Sequence, residues 1–161
     1  MGISKRLKLI AELVTKGNVA ADIGTDHGYV PIYLLREKIS PRAIAVDVSK
    51  GSLEKARENA EFFHLTIQDG TIDLRLGDGL SVLQPGEADT IIISGMGGIL
   101  MTNILEAHKE VSLSAKELIL SPHRDADLVR GFLNDYGFEI VFDEVITDKK
   151  KSYSIIKGVK I

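Results

Sequence analysis

Val19-Ala20-Ala21-Asp22-Ile23-Gly24-Thr25-Asp26-His27-Gly28-Tyr29-Val30-Pro31-Ile32 is the stretch on which the fold turns. It passes from a short apolar run, through a turn bearing two glycines, into a helix carrying Pro31, Ile32 and Leu34. Similar apolar runs follow at Ala43-Ile44-Ala45-Val46, Thr90-Ile91-Ile92-Ile93 and Glu117-Leu118-Ile119-Leu120, with a weaker one at Ile72-Asp73-Leu74-Arg75-Leu76. Continuous rather than alternating apolarity suits strands covered on both faces, as in a parallel sheet. Helix-spaced sets lie between and before these runs: Leu7, Ile10, Ala11 and Val14 at the start, with Ser4 as N-cap and Gly17 as the stop. Leu53, Ala56, Ala60 and Phe63 form another set, and Leu128, Val129, Phe132, Leu133 and Tyr136, ended by Gly137, form a third. Repeated strand-then-helix units predict an α/β sandwich with right-handed crossovers and helices on both sheet faces.

The end of the chain differs. Phe138-Glu139-Ile140-Val141-Phe142 and Tyr153-Ser154-Ile155-Ile156 have no helix between them and should pair antiparallel, with Lys149 to Lys151 at a solvated tip. The count is then seven strands, six parallel and the last antiparallel, the layout of a Rossmann-like class I methyltransferase sandwich, which other doubly wound folds share.

Composition sets the outer limits. At 161 residues the chain is one domain's length, and 44% hydrophobic, 27% charged and a net charge of −3 exclude disorder and a polycationic nucleic-acid binder. Cysteine is absent, which excludes disulfides, Cys-ligated zinc, iron–sulfur clusters and a cysteine nucleophile. No apolar run reaches membrane-span length, and Met1 to Thr15 mixes lysine and arginine with apolar residues, so a cytoplasmic protein is expected. His27 and His123 lack a metal-ligand spacing, and no Ser/His/Asp order points to hydrolysis, so no metal is expected.

The strand-to-helix turn carries the chemistry. A phosphate-cradling dinucleotide turn needs G-x-G-x-x-G, but here only Gly24 and Gly28 are glycine and Asp26 stands between them. A carboxylate there repels pyrophosphate, whereas S-adenosylmethionine has no phosphate and carries a sulfonium and an ammonium. Gly24 and Gly28 would equally make a plain tight turn. Asp47 ends the second strand, where it can accept from ribose hydroxyls or cap the next helix. Asp78, in Gly77-Asp78-Gly79, can accept from an adenine amino group or simply form a turn. Together Asp22, Asp47 and Asp78 fall at the carboxyl edge of one sheet, where doubly wound folds bind ligands. The fourth strand leads into Ser94-Gly95-Met96-Gly97-Gly98, whose glycines permit close backbone approach to a flat substrate or make a flexible connection.

These motifs resemble the bacterial tRNA adenine-22 N1-methyltransferases, the TrmK family. The similarity runs through Ser4-Lys5-Arg6-Leu7, Ala21 to Leu34, Arg75 to Leu80, Ala88 to Gly98 and Leu118 to Pro122, in family order across nearly the whole chain. Departures are Ser121 where the family has Gln, Gly51-Ser52 where it has Gly-Pro, and the lack of its C-terminal coiled-coil domain. The resemblance implies a single S-adenosyl-L-methionine-binding domain over residues 1–161 that methylates N1 of an adenine in tRNA, with tRNA holding weakened. It assigns Asp22, Gly24, Thr25, His27, Gly28, Asp47, Val48, Asp78, Gly79 and Gly95 to the cofactor. Arg6, Tyr29, Met96 and Pro122 go to the substrate, and Asp26 is the catalytic candidate. Tyr29 would stack on a flipped adenine or serve as a core aromatic. Basic residues Lys5, Arg6, Lys8, Arg124 and Arg130 are the expected RNA contacts. Competing readings are a methyltransferase for a small molecule or protein and a non-catalytic cofactor-binding or RNA-interaction module. A nicotinamide oxidoreductase has the wrong glycine spacing.

Overall fold

A computed structural model describes residues 2–161. Its seven strands are β1 (Ala20–Ile23), β2 (Ala43–Asp47), β3 (Ile72–Leu76), β4 (Thr90–Met96), β5 (Glu117–Pro122), β6 (Phe138–Asp148) and β7 (Lys151–Lys160). They form one sheet in the order β3-β2-β1-β4-β5-β7-β6. The first five pair in parallel, and β7 lies antiparallel between β5 and β6.

The continuous apolar runs work because consecutive side chains face opposite layers. Ala21, Ile23, Ile91, Ile93, Leu118 and Leu120 point one way, into a core with Met101, Leu105, Val129, Phe132 and Leu133. Ala20, Ile92 and Ile119 point the other way, against Ile10, Ala11, Val14, Val30 and Leu34. The helices supplying these partners are α1 (Lys5–Glu12) and α2 (Tyr29–Arg36) on one face, and α4 (Gly98–Ala107) and α6 (Ala126–Asp135) on the other. Helix α3 (Lys50–Phe62) joins α1 and α2 on their face, its Ala60 packing with Ile32 and Ile72, and a short α5 (Lys109–Ser112) follows α4.

Three details depart from the sequence reading. Ser4 does cap α1, its hydroxyl accepting from Leu7 N–H, but α1 ends at Glu12, well before Gly17. Glu117 explains this, because its buried carboxylate accepts from both the N–H (2.9 Å) and the hydroxyl (2.7 Å) of Thr15 and draws the chain toward the sheet. Leu128 is exposed, leaving Val129, Phe132 and Leu133 as the buried face of α6. The terminal hairpin is longer than expected: its ladder runs to Asp148↔Lys151, closed by Lys149 and Lys150, both at positive φ.

Candidate functional site

The carboxyl ends of β1, β2, β3 and β4 open onto a cavity of about 450 Å³. Of the residues expected to bind or react, Arg6, Asp22, Gly24, Thr25, Asp26, Tyr29, Asp47, Val48, Asp78, Gly79, Gly95 and Met96 line it. His27, Gly28 and Pro122 do not. Gly28 is set by packing: it starts α2 at φ 76°, and a Cβ there would lie 2.8 Å from Ala56 Cβ. His27 is turned toward Tyr29, ring centroids 5.5 Å apart, and its carbonyl accepts from Asn59 Nδ2. Pro122 is buried at the end of β5, opposite Met96.

The β1–α2 turn differs in kind from a phosphate cradle. Gly24 and Thr25 N–H both donate to the Val46 carbonyl at 2.9 Å, Gly28 N–H donates to Thr25 O, and Asp26 N–H donates to Asp47 Oδ2 at 3.0 Å. These amides are engaged inside the protein, so the turn offers a ligand its carboxylates and not a nest of N–H donors. Gly24, at φ 73°, leaves room for Met96, whose Cε would lie 2.7 Å from a Cβ at that position. Asp47 does not cap α3. Its Oδ1 accepts from Ser49 N–H, and Ser49 is the cap.

Asp22 is the buried member of the acid set, 4% exposed, accepting from the Thr25 hydroxyl at 2.9 Å. Burial pushes its carboxyl up to about 7, against the Thr25 hydrogen bond and with help from the negative charge of Asp47. Asp26 sits at the mouth with its side chain 71% exposed, at φ 50°, its carboxylate 3.4 Å from His27 Nε2. Asp78 is also exposed, and Val48, 68% exposed, presents an apolar face between Asp47 and the cavity mouth.

Arg6 reaches the cavity from α1, its guanidinium 4.4 Å from the centroid of the Tyr153 ring. Its Nη1 is buried and has no partner among the described residues. A buried unpaired guanidinium nitrogen in a cavity wall calls for an anionic acceptor on the ligand. Arg6 is therefore turned toward the cavity that it helps to line. Arg130, another expected RNA contact, is held by both carboxylate oxygens of Asp143 and by Asp127.

The end of β4 adds residues the sequence reading missed. Ser94 pairs with Ser121 and Met96 with Pro122, so Gly95 is an extra residue in a bulge, at φ 76° and facing open space. Ser94, just before it, also lines the wall, joined by Leu7, Leu100 and Ile104, the last lying under Gly79. Leu7, Leu100 and Ile104 carry no chemical signal in a sequence, since an apolar wall residue reads like core. Among the described residues no cluster of three or more His, Asp or Glu is placed to hold a metal ion, and no helix is long and apolar enough to cross a membrane.

A family model described as "Methyltransferase domain" matches residues 3–156. The tRNA (adenine(22)-N(1))-methyltransferase of Bacillus subtilis (strain 168) is 36% identical over 154 residues, 96% of this chain and 63% of that protein. The crystal structure of the B. subtilis M1A22 tRNA methyltransferase TrmK superposes with a TM-score of 0.91 at 35% identity, covering 99% of this chain and 67% of that one. The chain belongs to the TrmK family of methyltransferase domains. A Streptococcus pneumoniae structure solved in complex with S-adenosyl-L-methionine gives a TM-score of 0.91 at 35% identity, over 99% of this chain and 73% of that one. The chain thus spans 63% of the length of the B. subtilis tRNA (adenine(22)-N(1))-methyltransferase.

Proposed function

We propose that residues 1–161 form an S-adenosyl-L-methionine-dependent methyltransferase domain that transfers a methyl group to N1 of an adenine in tRNA, acting in the cytoplasm where that substrate class is found. The observation that carries this reading is the turn after β1: its amides are internally engaged while Asp22, Asp26 and Asp47 face the cavity. Such a site repels a pyrophosphate and attracts a cation. The residues fit the cofactor group by group. Asp22 and Asp47 supply negative charge for its ammonium and ribose hydroxyls, Arg6 Nη1 suits its carboxylate, and Val48 with Asp78 suits the face and amino edge of its adenine. Arg6 is thereby reassigned from substrate to cofactor. The family relatives named above support the choice of reaction.

S-adenosyl-L-methionine supplies an electrophilic methyl group on a sulfonium. Adenine N1 already carries a free lone pair, so no base is needed to expose it. Methylation leaves the base cationic and its exocyclic amine more acidic. A carboxylate accepting from that amine therefore binds the transition state more tightly than the ground state. Asp26, at the mouth and with His27 as its side chain's neighbour, takes this role. Tyr29, in the wall beside it, stacks on an adenine that has left its pair.

The test has two stages. S-adenosylhomocysteine at 100 times its dissociation constant should raise stability by about 2.7 kcal/mol in a thermal shift, and NAD should not. Stabilisation by NAD alone refutes the cofactor assignment. Incubation with bulk bacterial tRNA and S-adenosyl-L-methionine, followed by nucleoside analysis, should yield N1-methyladenosine. Tight cofactor binding with no such product leaves a binding module instead.

A further inference from the structure

Lys149 to Lys151 form the exposed hairpin tip that was expected, and the fold brings this hairpin beside Arg6, a residue of the cavity wall. β7 pairs with β5 only as far as Leu120↔Ile156, while the β6–β7 ladder continues through Glu144↔Ile155, Val145↔Ser154, Ile146↔Tyr153 and Thr147↔Ser152 to Asp148↔Lys151. At about 3.3 Å per residue the hairpin stands roughly 16 Å beyond that last pairing, on the ligand-binding side of the sheet. It is fastened to α1 there: Asp148 Oδ2 accepts from Arg6 N–H at 3.2 Å, and Tyr153 underlies the Arg6 guanidinium. The tip lysines Lys149, Lys150 and Lys151 thus share a rim with Lys5 and Lys8 of α1, and all five are exposed. Among the described residues none of the five has a carboxylate within 4.0 Å.

The opposite side of the mouth is acidic, carrying Asp26, Asp47 and Asp78. A polyanion is repelled from that side and attracted to the lysine side, so the rim fixes the direction from which a phosphate backbone can approach. Asp143 is paired with Arg130, so the negative groups that face the five lysines from the hairpin are Asp148, which accepts from the Arg6 amide and keeps its charge, and Glu144 further down the strand. The turn is also an unusual place for lysine: φ is 51° at Lys149 and 68° at Lys150, the type I′ geometry in which Asn-Gly is favoured.

We infer that Lys149, Lys150 and Lys151, with Lys5 and Lys8, form a docking rim for the phosphate backbone of the RNA whose base enters the cavity. The inference rests on the tRNA reading above and deepens it. It takes the place of Arg130, which Asp143 and Asp127 hold, and of Arg6, which faces the cavity, as the RNA-holding group.

The test compares the full chain with the triple variant Lys149→Gln, Lys150→Gln, Lys151→Gln. A charge-matched control carries Lys16→Gln, Lys38→Gln, Lys116→Gln at the far edge of the sheet. Binding to bulk bacterial tRNA is followed by fluorescence anisotropy across a salt series. The hairpin variant should bind at least about fivefold more weakly at 0.1 M salt, with a slope of log K against log salt shallower by about 2 to 3. Its affinity for S-adenosylhomocysteine and its melting temperature should stay unchanged, and the control should bind like the original chain. Equal loss in both variants, no loss in the hairpin variant, no tRNA binding by the unsubstituted chain, or binding to phosphatidylglycerol vesicles in place of tRNA would each overturn the inference. Methylation of the same tRNA separates it from the broader reading. An unsubstituted chain that makes N1-methyladenosine while the hairpin variant binds normally keeps the function and loses the rim. A chain that binds through the hairpin but makes no N1-methyladenosine keeps the rim and loses the reaction.

Discussion

At the residue scale the site depends on Asp22, a carboxyl that burial and the neighbouring charges of Asp47 and Asp26 hold up to about 7. Below that pH it is largely protonated and gives a cationic ligand little; above it the buried carboxylate is complementary to an ammonium or sulfonium. Affinity for S-adenosylhomocysteine should therefore rise as pH goes from 5.5 to 8 and then level off. Each unit below 7 costs up to about tenfold. Calorimetry in buffers of different ionisation enthalpy should show proton release near pH 6.5. Asp22→Asn should bind weakly at every pH, and a flat profile in the unsubstituted chain would remove Asp22 from the electrostatic account. Asp26 belongs to a different step. Its side chain is exposed and its loop geometry is kept by its backbone N–H on Asp47, so Asp26→Ala should stay folded and change S-adenosylhomocysteine affinity only a few-fold, far less than it slows methyl transfer. Methyl transfer should fall by about 100-fold or more in single-turnover assays. Unchanged rates in that variant would transfer the role elsewhere.

At the scale of elements, the loop joining β4 to α4 shows how similar glycines serve different ends. Gly95 faces open space at φ 76°, whereas at Gly98 a Cβ would run into the Asp125 carbonyl, since Gly98 N–H donates to Arg124 O at 2.8 Å. Gly98→Ala must separate α4 from the β5–α6 turn, at a cost of about 2–3 kcal/mol. For a chain of this size that lowers the melting temperature by roughly 5–10 °C. Gly95→Ala suffers only left-handed backbone strain, about 1–2 kcal/mol, and should mainly reduce ligand affinity. Equal melting temperatures for the two variants would contradict this division. The sequence could not make the distinction, because both residues read as glycine in one loop and the clash comes from a turn 27 residues away. By contrast, Ile91-Ile92-Ile93 is legible as a doubly covered strand because alternate side chains meet separate helix layers. The acids at the strand ends were legible for a related reason: parallel strands bring their carboxyl ends to one edge. Apolar walls such as Leu7 and Ile104 had no such pattern to betray them, and while Lys149 to Lys151 read as a hairpin tip, nothing marked how far the two strands run toward it.

At the scale of the whole molecule, the carboxyls pull stability in opposite directions with pH. Glu87 is held down to about 2 by hydrogen bonds from Arg75, and the Asp143 carboxyl is held low by Arg130. Burial works to raise Glu117, but hydrogen bonds from Thr15 and Thr90, with the Lys157 ammonium, outweigh it and bring its carboxyl below the usual range. For these three the folded state binds protons more weakly than the unfolded chain, so their stabilisation is complete above about pH 4.5 and is lost as pH falls further. Asp22 has the reverse sign. Its folded carboxyl holds a proton that the unfolded chain releases near 3.8, so its contribution is complete below that pH and drains away as pH rises toward 7. The ligand-free chain should therefore be most stable near pH 4.5 to 5, with melting temperature declining on both sides. Asp22→Asn should remove the decline on the neutral side and melt higher than the unsubstituted chain at pH 8, although it binds ligand poorly. Saturating S-adenosylhomocysteine should flatten the same decline, because ligand stabilisation grows as Asp22 ionises. Melting curves from pH 3 to 8, with and without ligand, check all three statements. A neutral-side decline that survives both the substitution and the ligand would mean that another group, and not the cavity acid, sets the cost of keeping this site open.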